Sequence, residues 1–170
     1  MGGTKQGVNM TAISRTILLA EDNDDDAFLT TRALQSAGIS HPIHHCRDGQ
    51  AVIDYLEAVI SDREKSSESN FPDLILLDLK MPRINGLETL KWIREHEKFS
   101  SLIVLALTSS REQRDVQAAY RLQINAYLIK PSSLREMIDL AGAIRHFWLD
   151  ENHLIRPQIS FSSPSDVPRS

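Results

Sequence analysis

The stretch "LILLDLKMPRINGLE", Leu74–Glu88, places one acid, Asp78, at the end of an unbroken apolar run and follows it with a Pro, Asn and Gly turn. A short run with no polar face reads as a strand covered on both sides, and the turn residues end it. "LIVLALT" (102–108) has the same character. "TILLA" (16–20), "PIHHC" (42–46) and "NAYLIK" (125–130) complete a set of five expected strands.

Helical patterns alternate with these strands. They are expected at about Asp24–Ala37, stopped by Gly38, at Gln50–Ile60, at Gly86–Glu97, at Glu112–Leu122 and at Leu134–Leu149. In the last, Leu134, Met137, Ile138, Ala141, Ile144 and Trp148 recur at helical spacing. Alternation of this kind implies a parallel α/β sheet with helices on both faces, and ligands at the carboxyl ends of the strands. Glu21 and Asp22, Asp78, Thr108 and Lys130 all fall at that edge.

The first strand is followed by "EDNDDD", five carboxylates in six residues. Two carboxylates about 4 Å apart repel by roughly 4 kcal/mol at an effective dielectric near 20, so the cluster requires water, a cation or a helix N-terminus. Asp24 is expected to cap the first helix, with Asp25 and Asp26 in its first turn. An EF-hand does not fit, because Ala27 and Ala33 stand where the loop needs Gly and Glu.

Composition excludes several classes. A net charge of -4 and a pI near 5.8 give no footprint for nucleic acid. No apolar run approaches the roughly 20 residues of a membrane span, the start "MGGTKQGVNM" has no signal core, and Gln6 spoils a myristoylation motif. A cytoplasmic location is expected. Cys46 is the only cysteine and reads as a small buried residue. His44 and His45, adjacent in a strand, point to opposite faces and do not form a ligand set with His41. Residues 1–14 and 151–170 read as polar tails around a domain at 15–150, and the Ser-rich segment before Pro72 as an exposed loop.

Together "ILLAEDN", "LILLDLKMPRINGLE", "LALTSS" and "AYLIKP" resemble the receiver domain of two-component response regulators over about Arg15–Leu149. The resemblance implies a flavodoxin-like (βα)5 fold with strand order 2-1-3-4-5. It implies that Asp78 accepts a phosphoryl group from a sensor histidine kinase, with Mg²⁺ held by Glu21, Asp22, Asp78 and the backbone carbonyl of Lys80. Lys130 and Thr108 would hold phosphoryl oxygens, and Thr108 with Tyr127 would form the switch. Lys80 and Ser110 occupy the positions that tune phosphoryl lifetime in the family, and Lys130-Pro131 would be a cis peptide. "RDG" (47–49) and "IRHFWLDENHLI" (144–155) resemble the small regulators paired with phytochrome kinases. That resemblance points to a homodimer, with Phe147 and Trp148 as interface candidates.

Two rivals stand beside this reading. Asp22 and Asp24, with Thr108 and Lys130 downstream, have the spacing of a haloacid dehalogenase-type phosphatase with Asp22 as nucleophile, but Asp26 stands where a Thr is expected. The other rival is a receiver-shaped scaffold that takes no phosphate.

Overall fold

The computed structural model describes residues 16–63 and 71–150, with the side chains of Asp62 and Arg63 excepted. The expected tails at 1–14 and 151–170, and most of the Ser-rich loop, lie outside the described residues. The elements alternate as expected: β1 (Thr16–Ala20), α1 (Asp24–Ser36), β2 (Ile43–Cys46), α2 (Gly49–Arg63), β3 (Pro72–Leu77) and α3 (Gly86–Glu95). After these come β4 (Val104–Thr108), α4 (Gln113–Arg121), β5 (Ala126–Ile129) and α5 (Leu134–Ile144).

The five strands pair in parallel in the order β2-β1-β3-β4-β5. Side chains alternate across a strand, so each strand feeds two cores. Ile17, Leu19, Leu74, Leu76, Leu105 and Leu107 face α1 and α5, where they meet Ala33, Leu34, Met137, Ala141 and Ile144. Leu18, Ala20, Ile75, Leu77, Val104 and Ala106 face the other way, onto Val52, Leu56, Leu90, Ile93, Phe99 and Ala119. This two-sided burial is why β1, β3 and β4 are almost wholly apolar.

Local chemistry fixes the helix ends. Asn23, not Asp24, is the N-cap of α1, and its side chain accepts the Asp26 N–H at 3.0 Å. Asp24, Asp25 and Asp26 all lie in the first turn, where the helix dipole favours negative charge. The correction has a simple cause: Asn and Asp cap equally well, and the chain turns one residue earlier. At the other end Gly38 takes φ +82°, and Gly38 N–H and Ile39 N–H bond to the carbonyls of Gln35 and Leu34 in a Schellman arrangement. Arg145 donates to the Ala37 carbonyl at 3.1 Å and brings a cation to a helix with no basic residue in its own last turn. Asn85 and Glu88 close a capping box at the start of α3.

Two further expectations are corrected. The last helix is α-helical only to Ile144, and Arg145–Asp150 forms a π-helical turn. The wider turn shifts the register, so Leu149 is buried, Trp148 is half-buried and Phe147 is 59% exposed. The Lys130-Pro131 peptide is trans, since no described peptide bond is cis. Trans is the lower-energy form of X-Pro bonds by about 0.5–1 kcal/mol. Among the described residues no helix is long and apolar enough to cross a membrane.

Candidate phosphoryl-transfer site

The site is assembled by strand register. Ala20 is paired with Leu77, and the ladder continues past the strands: Asp78 N–H bonds to the Ala20 carbonyl and Lys130 N–H to the Thr108 carbonyl, both at 2.9 Å. Glu21, Asp78 and Lys130 thereby leave their strands at one edge. Strand pairing thus brings residues from three distant parts of the chain to one edge, where their side chains meet.

Glu21, Asp22 and Asp78 each offer a carboxylate oxygen, and these oxygens lie within 4.8 Å of one another. Glu21 and Asp78 are buried, while Asp22 is exposed. Three acids packed this closely, two of them desolvated, fit the oxygen-only ligand chemistry that a hard divalent cation prefers. Burial raises the Glu21 carboxyl above its ordinary value, opposed by the Lys130 ammonium and reinforced by the Asp78 charge.

Lys130 provides the counter-charge. Its Nζ donates to Glu21 Oε2, to Asp78 Oδ2 at 2.9 Å and to Asp26 Oδ2 at 3.0 Å. Burial works against the charged ammonium, but the bonds to Glu21 and Asp78 outweigh it and hold Lys130 above the ordinary lysine value. Asp78 is oriented on both oxygens, because its Oδ1 accepts the Lys80 N–H at 3.1 Å. Its own carbonyl is crossed by α3: a Cβ on Gly86 would lie 2.2 Å from Asp78 O, so only glycine permits this approach.

Thr108 is fully buried, and its Oγ1 accepts the Ser110 N–H at 3.3 Å. Tyr127 is half-buried on β5 and donates its hydroxyl to the Ser110 carbonyl at 3.0 Å. Lys80 points its ammonium to α4, 2.9 Å from Asp115. Phe147 and Trp148 stand apart from the site and meet edge to face at 4.8 Å.

Several contributors were not foreseen. His45 Nε2 lies 2.7 Å from the Glu21 carbonyl, which only accepts, so this nitrogen carries the proton. Buried Asp48 accepts the Ala51 N–H at 2.9 Å and pairs with Arg83, while Gly49 N–H bonds to the Ile84 carbonyl at 3.0 Å. The "RDG" turn therefore clamps the loop that follows Asp78, and Arg83 takes φ +61° within it. The histidines separate as expected, His44 packing on Tyr55 with ring centroids 4.4 Å apart. Cys46 is buried, and burial pushes its thiol up to about 12.

The response regulator receiver domain family matches residues 17–141. The chain belongs to this family. The match removes the haloacid dehalogenase alternative and accounts for the acids, the Thr and the Lys at one sheet edge. Among relatives, the response regulator Rcp1 of Synechocystis is 34% identical over 136 residues, covering 80% of this chain and 90% of Rcp1. The Mn²⁺-bound crystal structure of Rcp1 superposes with a TM-score of 0.69, over 81% of this chain and 96% of that one. The probable methanogenesis regulatory protein FilR2 of Methanothrix harundinacea is 35% identical, over 80% of this chain and 84% of FilR2. The phosphorylated cyanobacterial phytochrome response regulator RcpA has a TM-score of 0.70 and 32% identity, over 80% of this chain and 94% of its own. This receiver is thus close to the phytochrome-associated regulators in sequence and in fold.

Proposed function

We propose that this receiver takes a phosphoryl group on Asp78 from the phosphohistidine of a sensor kinase and signals through the surface formed by α4, β5 and α5. The observation that carries the reading is the state of Asp78, a buried carboxylate held on one oxygen by Lys130 and on the other by the Lys80 N–H, beside two further acids. An oriented carboxylate attacks phosphorus; the new bond is Asp78 Oδ–P, the bond broken is the donor's N–P, and the electron pair leaves on the imidazole. Lys130 remains as an ion pair to the transferred group, and the Thr108 hydroxyl donates to another of its oxygens.

Glu21, Asp22, Asp78 and the Lys80 carbonyl are the residues that would hold Mg²⁺. When bound, the ion offsets repulsion among the acids and neutralises charge on the phosphoryl oxygens. The Mn²⁺-bound form of Rcp1 supports this assignment. Movement of Thr108 to the phosphoryl group pulls on Ser110, whose carbonyl anchors Tyr127, and so reaches β5.

A phytochrome-type kinase is the partner favoured by the likeness to Rcp1 and RcpA. The same likeness and the exposure of Phe147 support a homodimer through the α4-β5-α5 surface, with Trp148 packed on the core next to Phe147. We place the receiver domain at 15–150, between tails, in the cytoplasm, with loss of phosphate by its own hydrolysis.

Incubation with acetyl phosphate and Mg²⁺, followed by mapping of the acyl phosphate, tests the assignment. Label on Asp78, abolished by Asp78→Asn and retained in a denatured-and-mapped peptide containing that residue, is the expected result. No label at all would leave the scaffold reading.

A further inference from the structure

Asp115 is a buried acid to which this reaction gives no role. It lies in the first turn of α4 and is 8% exposed. Its Oδ2 accepts the Ser110 hydroxyl at 2.6 Å and the Lys80 ammonium at 2.9 Å. Arg114 Nε is 3.9 Å from its other oxygen, and Glu112 Oε1 is 3.7 Å from Lys80 Nζ. The Ser110 hydroxyl first and Lys80 second hold the Asp115 carboxyl below the ordinary aspartate range.

The position of these partners matters. Lys80 belongs to the turn after β3, two residues beyond Asp78, and Ser110 belongs to the turn after β4, two beyond Thr108. Ser110 also receives the Tyr127 hydroxyl on its carbonyl and donates its N–H to Thr108. A single carboxylate therefore joins the two turns that flank Asp78. Glu112, the N-cap of α4, makes no side-chain cap, and its N–H reaches the same Ser110 hydroxyl oxygen at 3.4 Å.

We propose that Asp115 is a positioning residue for hydrolysis of the Asp78 acyl phosphate, anchoring Lys80 and Ser110 together so that the Lys80 stem restricts the approach of water to phosphorus. The proposal rests on the assignment of Asp78 as phosphoacceptor. In that hydrolysis the water oxygen bonds to phosphorus, the Asp78 Oδ–P bond breaks, and its electron pair restores the carboxylate. Phosphate leaves, and the proton of the water passes to solvent. Attacking and leaving oxygens are roughly in line, so a side chain stretched over one side of the site obstructs the path.

Which way Lys80 acts is decided by where its charge is spent. A free ammonium beside a phosphoryl group has two options, to recruit water or to exclude it. Here Nζ is committed to Asp115 and Glu112, and it makes no ion pair with Asp78, whose Oδ2 is held by Lys130. Lys80 is thus a strut between the two turns. A cleft of about 210 Å³ lined by Leu79, Lys80, Met81, Asn85, Leu87 and Asp115 lies beside the strut.

The test follows loss of label from protein phosphorylated with acetyl phosphate and Mg²⁺ and freed of donor by desalting. Asp115→Asn, which keeps the shape and an acceptor for Ser110, is expected to lose label about two- to fivefold faster, the range of a half-exposed ion pair. Lys80→Met cuts the same pair from the exposed side, where folding is not at stake, and is expected to show the same acceleration. The double variant should decay no faster than either single one. Decay unchanged or slower in Lys80→Met, or accelerations that multiply in the double variant, would overturn the proposal. Parental protein that takes no label, or label that survives Asp78→Asn, would instead overturn the phosphoacceptor assignment, and shows itself before any change at Asp115.

Discussion

Two lysines flank Asp78, and they differ in burial far more than in chemistry. The Lys130 side chain is 10% exposed and bonds to Glu21, Asp26 and Asp78, whereas that of Lys80 is 50% exposed and pairs with Asp115 and Glu112. Both are held above the ordinary lysine value: Lys130 by Glu21 and Asp78 against the effect of burial, Lys80 first by its bond to Asp115. Shielding from water turns the first into a fixed part of the site, because its loss leaves desolvated acids with no counter-charge. Solvent screening leaves the second adjustable, which suits a residue that governs a rate.

Lys130→Met gives the largest expected effect, a loss of about 3 kcal/mol in urea unfolding. Added Mg²⁺ should raise the Tm of this variant more than that of the parent, since the acids then lack their internal cation. A loss under about 1 kcal/mol would erase the distinction between the two lysines.

Next in size is Gly86→Ala, at about 2 kcal/mol, because its Cβ would meet Asp78 O at 2.2 Å and Leu79 Cα at 2.6 Å, both backbone atoms that cannot swing aside. Gly142→Ala meets nothing within 4 Å and is expected to stabilise by about 0.5–1 kcal/mol. Chemical denaturation of the two variants would show whether the loop carrying Lys80 is as fixed at its Asp78 end as the Lys130 cluster.

Asp48 probes the other end of that loop. Burial raises its carboxyl, but Arg83 and the Ala51 N–H outweigh burial and hold it below its ordinary value of 3.8. Its contribution is therefore present above that value and disappears as pH falls through the lower folded-state value. Asp48→Asn should cost about 1 kcal/mol at neutral pH and progressively less in acid, measured as the midpoint of urea unfolding against pH. A deficit that stays constant into acid would detach Asp48 from the charge pairing.

The smallest effect belongs to Lys80→Ala, below about 1 kcal/mol and shrinking as salt is added. Its influence should appear in the decay of the acyl phosphate and not in stability.

Much of the fold was legible locally. Unbroken apolar runs in β1, β3 and β4 announce strands buried on both faces, and the acids, Thr108 and Lys130 at their ends mark the functional edge. Where local rules offer equivalent choices, the chain's own pattern does not select between them. Asn23 and Asp24 are both good caps, and X-Pro bonds differ by little between isomers. The π-helical turn at Arg145–Asp150 left no mark in the periodicity, because Trp148 still fits an α-helical stripe while Phe147 is turned outward.

The sequence by itself determined the alternation of elements, the acids at strand ends and the family resemblance, since all of these are carried by short-range pattern and motif. Only the tertiary structure decided the partners of charge: that Asp26 helps to hold Lys130, that Asp48 clamps the loop after Asp78, and that Asp115 joins Lys80 to Ser110. Such pairings depend on the register of parallel strands and on where helices land after their crossovers, distances of a few ångström that no spacing along the chain encodes.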